Sequence, residues 1–263
     1  MLLLLWAPIA IAVRLLATWY QSERIFIAAL ILLYFIFISL LRGWGRHVYG
    51  LARPLSYYGL TFSTSTALWF LSTFLVGAIG VGILFTLQVS LGWAEVVPAA
   101  HLGRIAAEGL ITAIGIGWAE EILFRGWLLG ELERDYSPAV ALFSSSTLFA
   151  MAHFIRPFSA ILATWPQFFG LLLLGLALVW AKRATTSRHQ LLAGDLAAPG
   201  GLHAGLVWAY YVVDVGDLVV SSEQVPTWIT GVGGNPLAGG LGLLLLSAIA
   251  FSFRSIRWQS VHR

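Results

Sequence analysis

The stretch WAEEILFRGWLLG, Trp118–Gly130, places two adjacent glutamates and an arginine inside a run that is otherwise apolar and aromatic. The rest of the chain is similarly apolar: of 263 residues, 59% are hydrophobic and only 10% are charged. Soluble domains carry about a quarter charged residues. Mean hydropathy is +0.85. This composition predicts an integral membrane protein, in which a charge within an apolar segment is costly and therefore informative.

Apolar runs of roughly 17 to 25 residues can cross a bilayer as helices. Working outward from Trp118–Gly130 gives eight such runs, some of them short, which predicts an all-α polytopic membrane helix bundle of about eight transmembrane helices in a single domain, residues 1–263. The first run has no basic residue before it and no clear cleavage site after it, so we expect a retained helix. The runs are Leu2–Tyr20, Ile25–Leu41, Leu68–Leu91, Gly103–Leu132, Ala139–Phe154, Gln167–Lys182, Gly201–Val213 and Pro236–Phe253.

The basic residues predict the orientation of these helices. If the loop after the second helix is cytoplasmic, strict alternation places both termini in the cytoplasm. Of the 15 Lys and Arg residues, ten then lie on the cytoplasmic side, three lie outside and two lie within helices. The cytoplasmic set is Arg42, Arg46, Arg53, Arg134, Lys182, Arg183, Arg188, Arg254, Arg257 and Arg263, the outside set is Arg24, Arg104 and Arg156, and the helical pair is Arg14 and Arg125.

Charge and cysteine content exclude several classes of function. The net charge is +3, but the basic residues punctuate apolar segments instead of forming the polar face typical of a nucleic-acid binder, so no nucleic-acid partner is expected. The absence of cysteine excludes disulfides, thiolate nucleophiles and thiolate metal ligands.

The two glutamates of the opening stretch have different helical neighbours. Glu121 and Arg125 are four residues apart, a spacing that stacks them on one helix face and predicts an ion pair. Glu120 points about 100° away and is left without that partner. An unpaired carboxylate inside a membrane is a candidate for proton transfer if water reaches it.

Two of the six histidines also fall within apolar segments. His153 ends the string FAMAHF, with Phe149 one turn earlier, and His203 lies in GGLHAG. Small residues around His203 either allow close helix packing or leave room for water and substrate, and the sequence does not decide between these. With the helix ends as predicted, His203 lies near the cytoplasmic side and His153 lies much deeper. The two histidines and Glu120 therefore meet only if helices tilt or the seventh helix begins deep in the bundle.

These motifs together resemble the CAAX protease and bacteriocin-processing family, also called the CPBP or Abi family. The resemblance covers about residues 103–213, and it rests on order and placement on three predicted helices. The matching strings are Glu120-Glu121-x-x-x-Arg125, Phe149-x-x-x-His153 and His203 in HAGLV.

The resemblance implies an intramembrane endopeptidase that hydrolyses a peptide bond. Glu120 and His153 would activate a water, and His203 would stabilise the oxyanion. Glu121 and Arg125 would brace the helix that carries Glu120, with Phe149 as a further supporting residue. The implied partners are membrane lipid and a peptide or protein substrate, with lipid-modified chains among the candidates. No cofactor and no metal are expected.

One position departs from the family pattern. The third motif often has Asn four residues after the histidine, where this chain has Val207, which cannot donate a hydrogen bond. The departure predicts either a substitute donor, for which the Trp208 indole is the candidate, or weak, altered or absent activity.

Other functions remain open from the residues alone. A non-catalytic membrane scaffold or immunity factor could keep the polar cluster for folding or partner binding, and a proton-coupled transporter could use Glu120 and the histidines as a relay. A metalloprotease is a minor alternative, because Glu120, His153 and His203 are suitable ligand types. Ser144–Ser146 lack the surroundings of a serine nucleophile.

Overall fold

The computed structural model describes residues 2–20, 22–185, 194–222, 224–232 and 234–262, which are mostly helical, and the predicted all-α membrane bundle is confirmed. Each predicted apolar run contains a helix. The main elements are α1 (Leu2–Tyr20), α2 (Glu23–His47), α3 (Pro54–Tyr57), α4 (Thr64–Ser90), β1 (Ala94–Val96), α5 (Leu102–Glu121), a π-helix (Ile122–Leu128), α6 (Leu129–Asp135), α7 (Pro138–Ala152), α8 (Phe158–Thr164), α9 (Gln167–Ala184), α10 (Ala197–Val215), β2 (Val219–Ser221), α11 (Thr227–Thr230), a 3₁₀ turn (Pro236–Ala238) and α12 (Gly240–His262).

Five helical segments among the described residues are long and apolar enough to cross a membrane, which makes the chain an integral multi-pass protein. The helix α7 is apolar but shorter, at 15 residues. The side chain of Arg14 and the whole of Arg188 and Arg263 lie outside the described residues. The five segments are Arg24–His47, Thr64–Ser90, Leu102–Asp135, Gln167–Ala184 and Gly240–Arg257.

The chain forms two compact units, Met1–Tyr57 and Tyr58–Arg263. In the first unit, the indole N–H of Trp6 on α1 donates to the Leu33 carbonyl on α2 at 3.2 Å, and the Trp6 ring packs edge-on against Phe37. The second unit carries every candidate site residue. The single domain predicted over residues 1–263 stays a prediction.

Within the second unit, α10 packs backbone to backbone against α4. A Cβ at Gly201 would strike the Phe70 carbonyl, and a Cβ at Gly205 would strike the Phe74 carbonyl. From the other side, a Cβ at Gly77 would lie 2.6 Å from the Leu202 carbonyl oxygen. The glycines around His203 therefore serve close helix packing.

The opposite face of α10 packs on α5. A Cβ at Gly117 would lie 3.3 Å from the Ala204 nitrogen. A short antiparallel pairing of β1 with β2 then joins the connections that follow α4 and α10, with Glu95 opposite Val220. These contacts fix α10 between α4 and α5, beside the glutamates at the end of α5.

Candidate active site

The helix that carries the glutamates changes its winding directly after them. Leu102–Asp135 runs without interruption, but Ile122–Leu128 is a π-helix, in which the Leu129 N–H donates to the Phe124 carbonyl five residues earlier. Glu120 and Glu121 are the last two residues of α5, immediately before this segment. Single-turn π segments inside α-helices occur frequently at functional sites.

Glu121 and Arg125 form the ion pair that the sequence predicts. Nη1 of Arg125 donates to Oε1 of Glu121 at 2.8 Å, and neither side chain is exposed. The guanidinium also lies 4.2 Å from the centroid of the Phe149 ring and donates to the Gly175 carbonyl at 3.4 Å. Since a buried ion needs both a counterion and hydrogen bonds, these contacts explain how Arg125 is tolerated in an apolar core.

Glu120 has no such partner. Its side chain is 29% exposed, and its Oε2 atom is buried without a hydrogen-bond partner among the described residues. The nearest cationic or imidazole groups are Nε2 of His153 at 3.8 Å and Nε2 of His203 at 3.9 Å. The structure therefore brings together the three residues predicted to be catalytic, around one carboxylate oxygen.

His153 directs a defined ring nitrogen at this oxygen. It follows the last residue of α7, and its Nδ1 lies 2.9 Å from the Phe149 carbonyl oxygen. A carbonyl can only accept, so Nδ1 carries the proton, and in the neutral ring Nε2 presents its lone pair toward Glu120. Phe149 thus contributes to the site through its backbone as well as its ring.

His203 joins the two glutamates. Its Nδ1 lies 3.0 Å from Oε1 of Glu121, while its Nε2 is the atom that approaches Glu120. Because a carboxylate accepts hydrogen bonds, Nδ1 is the donor and Glu121 fixes the orientation of the ring. The side chain is only 4% exposed.

The depth of His203 is explained by where α10 begins. The first ten residues of α10, Ala197–Leu206, are all buried, so the helix starts well inside the unit. His203, the seventh residue of α10, can then lie at the same depth as His153. His153 is about 22 Å along the axis of α7 from Pro138, the first residue of that helix.

The substitute oxyanion donor expected from the sequence is engaged elsewhere. The Trp208 indole N–H donates to the Ala106 carbonyl on α5 at 2.9 Å. Val207 offers no polar group. Among the described side chains, His153 and His203 are the imidazoles that lie beside the Glu120 carboxylate, with Nε2 at 3.8 and 3.9 Å.

One buried charge was missed by the sequence reasoning. Lys182, which the topology argument counts with the cytoplasmic cations, is only 3% exposed, and its Nζ donates to the Arg125 carbonyl at 2.6 Å. Ser145 on α7 similarly donates to the Phe124 carbonyl at 3.3 Å. The position of Lys182 at the end of an apolar run gave no signal that it points inward.

No group of three or more His, Cys, Asp or Glu side chains in the described part of the chain has a spacing that could hold a metal ion.

The segment that builds this site matches a known protein family. Residues 102–209 match the family model described as Rce1-like, type II CAAX prenyl endopeptidase Rce1-like. This segment is similar to that family. The resemblance to the CAAX proteases is thereby confirmed. No curated protein and no solved structure matches the chain. The matched segment contains Glu120, Glu121, Arg125, His153 and His203. The match supports a membrane protease, and the CAAX protease family acts on peptide or protein substrates.

Proposed function

We propose that this protein is an intramembrane endopeptidase that uses a water activated by Glu120 and His153. The observation that carries the proposal is the approach of the two Nε2 atoms, at 3.8 and 3.9 Å, to one unpaired oxygen of Glu120. A water bridging Glu120 and His153 would lie within hydrogen-bond distance of both, which is the geometry that general-base catalysis needs.

These positions support a hydrolysis by general-base catalysis. Glu120 takes a proton from the water, and the oxygen attacks the scissile carbonyl carbon to form a tetrahedral oxyanion. Glu120 then passes the proton to the leaving amine as the C–N bond breaks. His153, with Nδ1 bonded to the Phe149 carbonyl, holds the water through Nε2.

His203 would stabilise the oxyanion. As an imidazolium it donates Nδ1–H to Glu121 and has Nε2–H available for the developing negative charge. Buried, preoriented donors of this kind are effective because they need no reorganisation during the reaction. Glu121, which also pairs with Arg125, would hold the His203 ring through Nδ1.

Substrate choice and orientation belong to the same proposal. The family description supports C-terminal peptides that carry a prenylated cysteine as the first substrates to test. The distribution of basic residues supports an orientation with both termini in the cytoplasm, where such C-termini are accessible.

The test compares wild type with Glu120→Gln at equal amounts of folded protein. Quenched fluorescent CAAX peptides, prenylated and unprenylated, are incubated with each protein in liposomes, and membrane-protein termini are compared by mass spectrometry in cells that express each form. We expect cleavage by wild type and its loss in Glu120→Gln.

Glu108→Gln is the matched control. Glu108 lies on the same helix but in an exposed pair with Arg104 at 2.7 Å, so this variant should cleave like wild type. Indistinguishable termini from wild type and Glu120→Gln, together with no peptide cleavage, would refute the protease and favour a non-catalytic scaffold.

A further inference from the structure

Lys182 is a buried cation that the proposed mechanism does not use. It lies in the last turn of α9 and is 3% exposed. Its neighbour Arg183 instead pairs with Glu133 at 2.7 Å and donates to the Pro138 carbonyl. An ammonium group in a protein interior must be compensated by hydrogen bonds or charges, so the contacts of Lys182 indicate what it does.

The Lys182 ammonium binds the backbone of the π-helix. Nζ donates to the Arg125 carbonyl at 2.6 Å, next to the Phe124 carbonyl that receives both the Leu129 N–H and the Ser145 hydroxyl. Two neighbouring carbonyls of the widened turn are thus held by side chains from α9 and α7. A π segment is less favourable than an α-helix, and these donors stabilise it from outside.

The Arg125 residue connects this anchor to the candidate active site. Its backbone is fixed by Lys182 and its side chain by Gly175, both on α9. The same side chain donates to Glu121, and Glu121 in turn orients Nδ1 of His203. A continuous series of hydrogen bonds therefore runs from Lys182 to the ring whose Nε2 approaches Glu120.

Charged side chains also surround this anchor. Glu121 lies between the Arg125 guanidinium and the His203 ring, sharing Oε1 with both. The carboxylates of Glu121, Glu133 and Asp195 and the guanidinium of Arg183 all act on the Lys182 ammonium.

We infer that Lys182 is a positioning residue of the active site, which holds the π-helical turn so that Arg125, Glu121 and His203 keep their places. For its effect on turnover the inference rests on the proposed function. Lys182 does not touch the reacting atoms, so it acts through the geometry of His203.

Three variants separate positioning from general stability. Lys182→Met removes the donor and keeps an unbranched side chain, and Lys182→Arg keeps a donor. Arg183→Met removes the adjacent cation, whose contacts are with Glu133 and Pro138 rather than with the π-helix. A purely structural role would make Lys182→Met and Arg183→Met alike, with lower melting temperatures and unchanged behaviour of the folded fraction.

The first readout is independent of activity. In protein with ¹⁵N-labelled histidine rings, assigned with His203→Gln, we expect Lys182→Met to shift the His203 nitrogen resonances and Arg183→Met to leave them unchanged. Lys182→Arg should restore the wild-type positions. Unchanged His203 resonances in folded Lys182→Met would overturn the inference, whether or not the protein is a protease.

The second readout uses the cleaved CAAX peptide, or the cellular terminus that depends on Glu120. We expect Lys182→Met to lower kcat by about 10- to 100-fold with little change in KM, the scale on which small displacements of catalytic groups act. Lys182→Arg should recover most of kcat. Wild-type kcat in Lys182→Met would reject the role in turnover, whereas failure of the proposed function shows as loss of the difference between wild type and Glu120→Gln.

Discussion

Two adjacent glutamates in this chain have opposite environments because of a 100° helical step. Glu121 is fully buried and shares one oxygen between Arg125 and His203. Glu120 is 29% exposed and lies beside the Nε2 atoms of two histidines. One side chain is suited to holding the structure and the other to reacting with water.

This difference predicts opposite effects of two Glu→Gln changes. Glu120→Gln should leave the melting temperature near wild type, whereas Glu121→Gln should destabilise the fold by about 3 to 5 kcal/mol, because it leaves the Arg125 charge buried without a counterion. Thermal unfolding in detergent measures both. The double variant Glu121→Gln/Arg125→Met should be less destabilised than Glu121→Gln, and additive effects would contradict the pairing.

Replacing Val207 with asparagine should raise the activity. Val207 lies one helical turn after His203, and Trp208 is engaged with Ala106, so an amide at position 207 adds a donor beside His203. Val207→Asn should raise kcat by up to about 100-fold, the value of one oxyanion donor. Val207→Leu is the control without a donor. Equal kcat values for Val207→Asn and Val207→Leu would show that position 207 does not face the oxyanion.

At the scale of elements, α10 is held by contacts that leave no room for side chains. Gly201 and Gly205 meet the α4 backbone, and Gly77 meets the α10 backbone. This close crossing allows α10 to begin deep in the unit and brings His203 to the level of the glutamates. The helix position therefore depends on the absence of Cβ atoms at these three residues.

A glycine comparison on these helices tests that dependence. Gly205→Ala should strongly lower the melting temperature, because its Cβ would strike the Phe74 carbonyl and backbone cannot move aside cheaply. Gly82→Ala on α4, with nothing within 4 Å of its Cβ, should stabilise by about 0.5 to 1 kcal/mol through helix propensity. Similar melting temperatures for the two variants would exclude the close crossing.

The carboxyl group of Asp195, just before α10, should make the stability of the folded protein depend on pH. Its carboxylate accepts from the Thr61 hydroxyl and the Ala197 N–H, but burial, the largest influence, raises its pKa above the ordinary 3.8. The folded state therefore favours the protonated form. The stabilisation that protonated Asp195 gives to the folded state is complete at a pH below the ordinary pKa. It is lost as the pH rises through the raised pKa of the folded state.

Asp195→Asn removes this titration and keeps an acceptor for Thr61. The melting temperature of Asp195→Asn minus that of wild type should therefore increase between pH 4 and pH 8. Parallel curves for the two proteins over this range would show that Asp195 has the same pKa in the folded and unfolded states.

At the scale of the whole molecule, the sequence predicted the helices, but it left open how deep α10 begins and so whether Glu120, His153 and His203 meet. Hydropathy locates the apolar runs because each run must satisfy its backbone within the bilayer, and helical spacing alone separates Glu120 from Glu121. The π-helix and the inward course of Lys182 depend on contacts between α9 and Arg125. Such contacts between distant residues leave no periodic pattern in a single sequence.

The proposed orientation predicts which side of the membrane the C-terminus and the loop before α5 occupy. A green fluorescent protein fused after Arg263 should fluoresce, and alkaline phosphatase fused there should be inactive, because the C-terminus is expected in the cytoplasm. A phosphatase inserted after His101, ahead of α5, should be active. The reverse pattern would invert the predicted topology.

The uneven exposure of the three candidate catalytic residues has a practical consequence for redesign. His203 is held at 4% exposure by tight glycine packing, while His153 and Glu120 are 32% and 29% exposed. On the proposed function, libraries that aim to change the cleaved sequence should therefore vary exposed residues after His153, such as Ile155 and Phe158, and leave α10 untouched. Reaction chemistry and target choice would then reside in separate parts of the chain and could be altered one without the other.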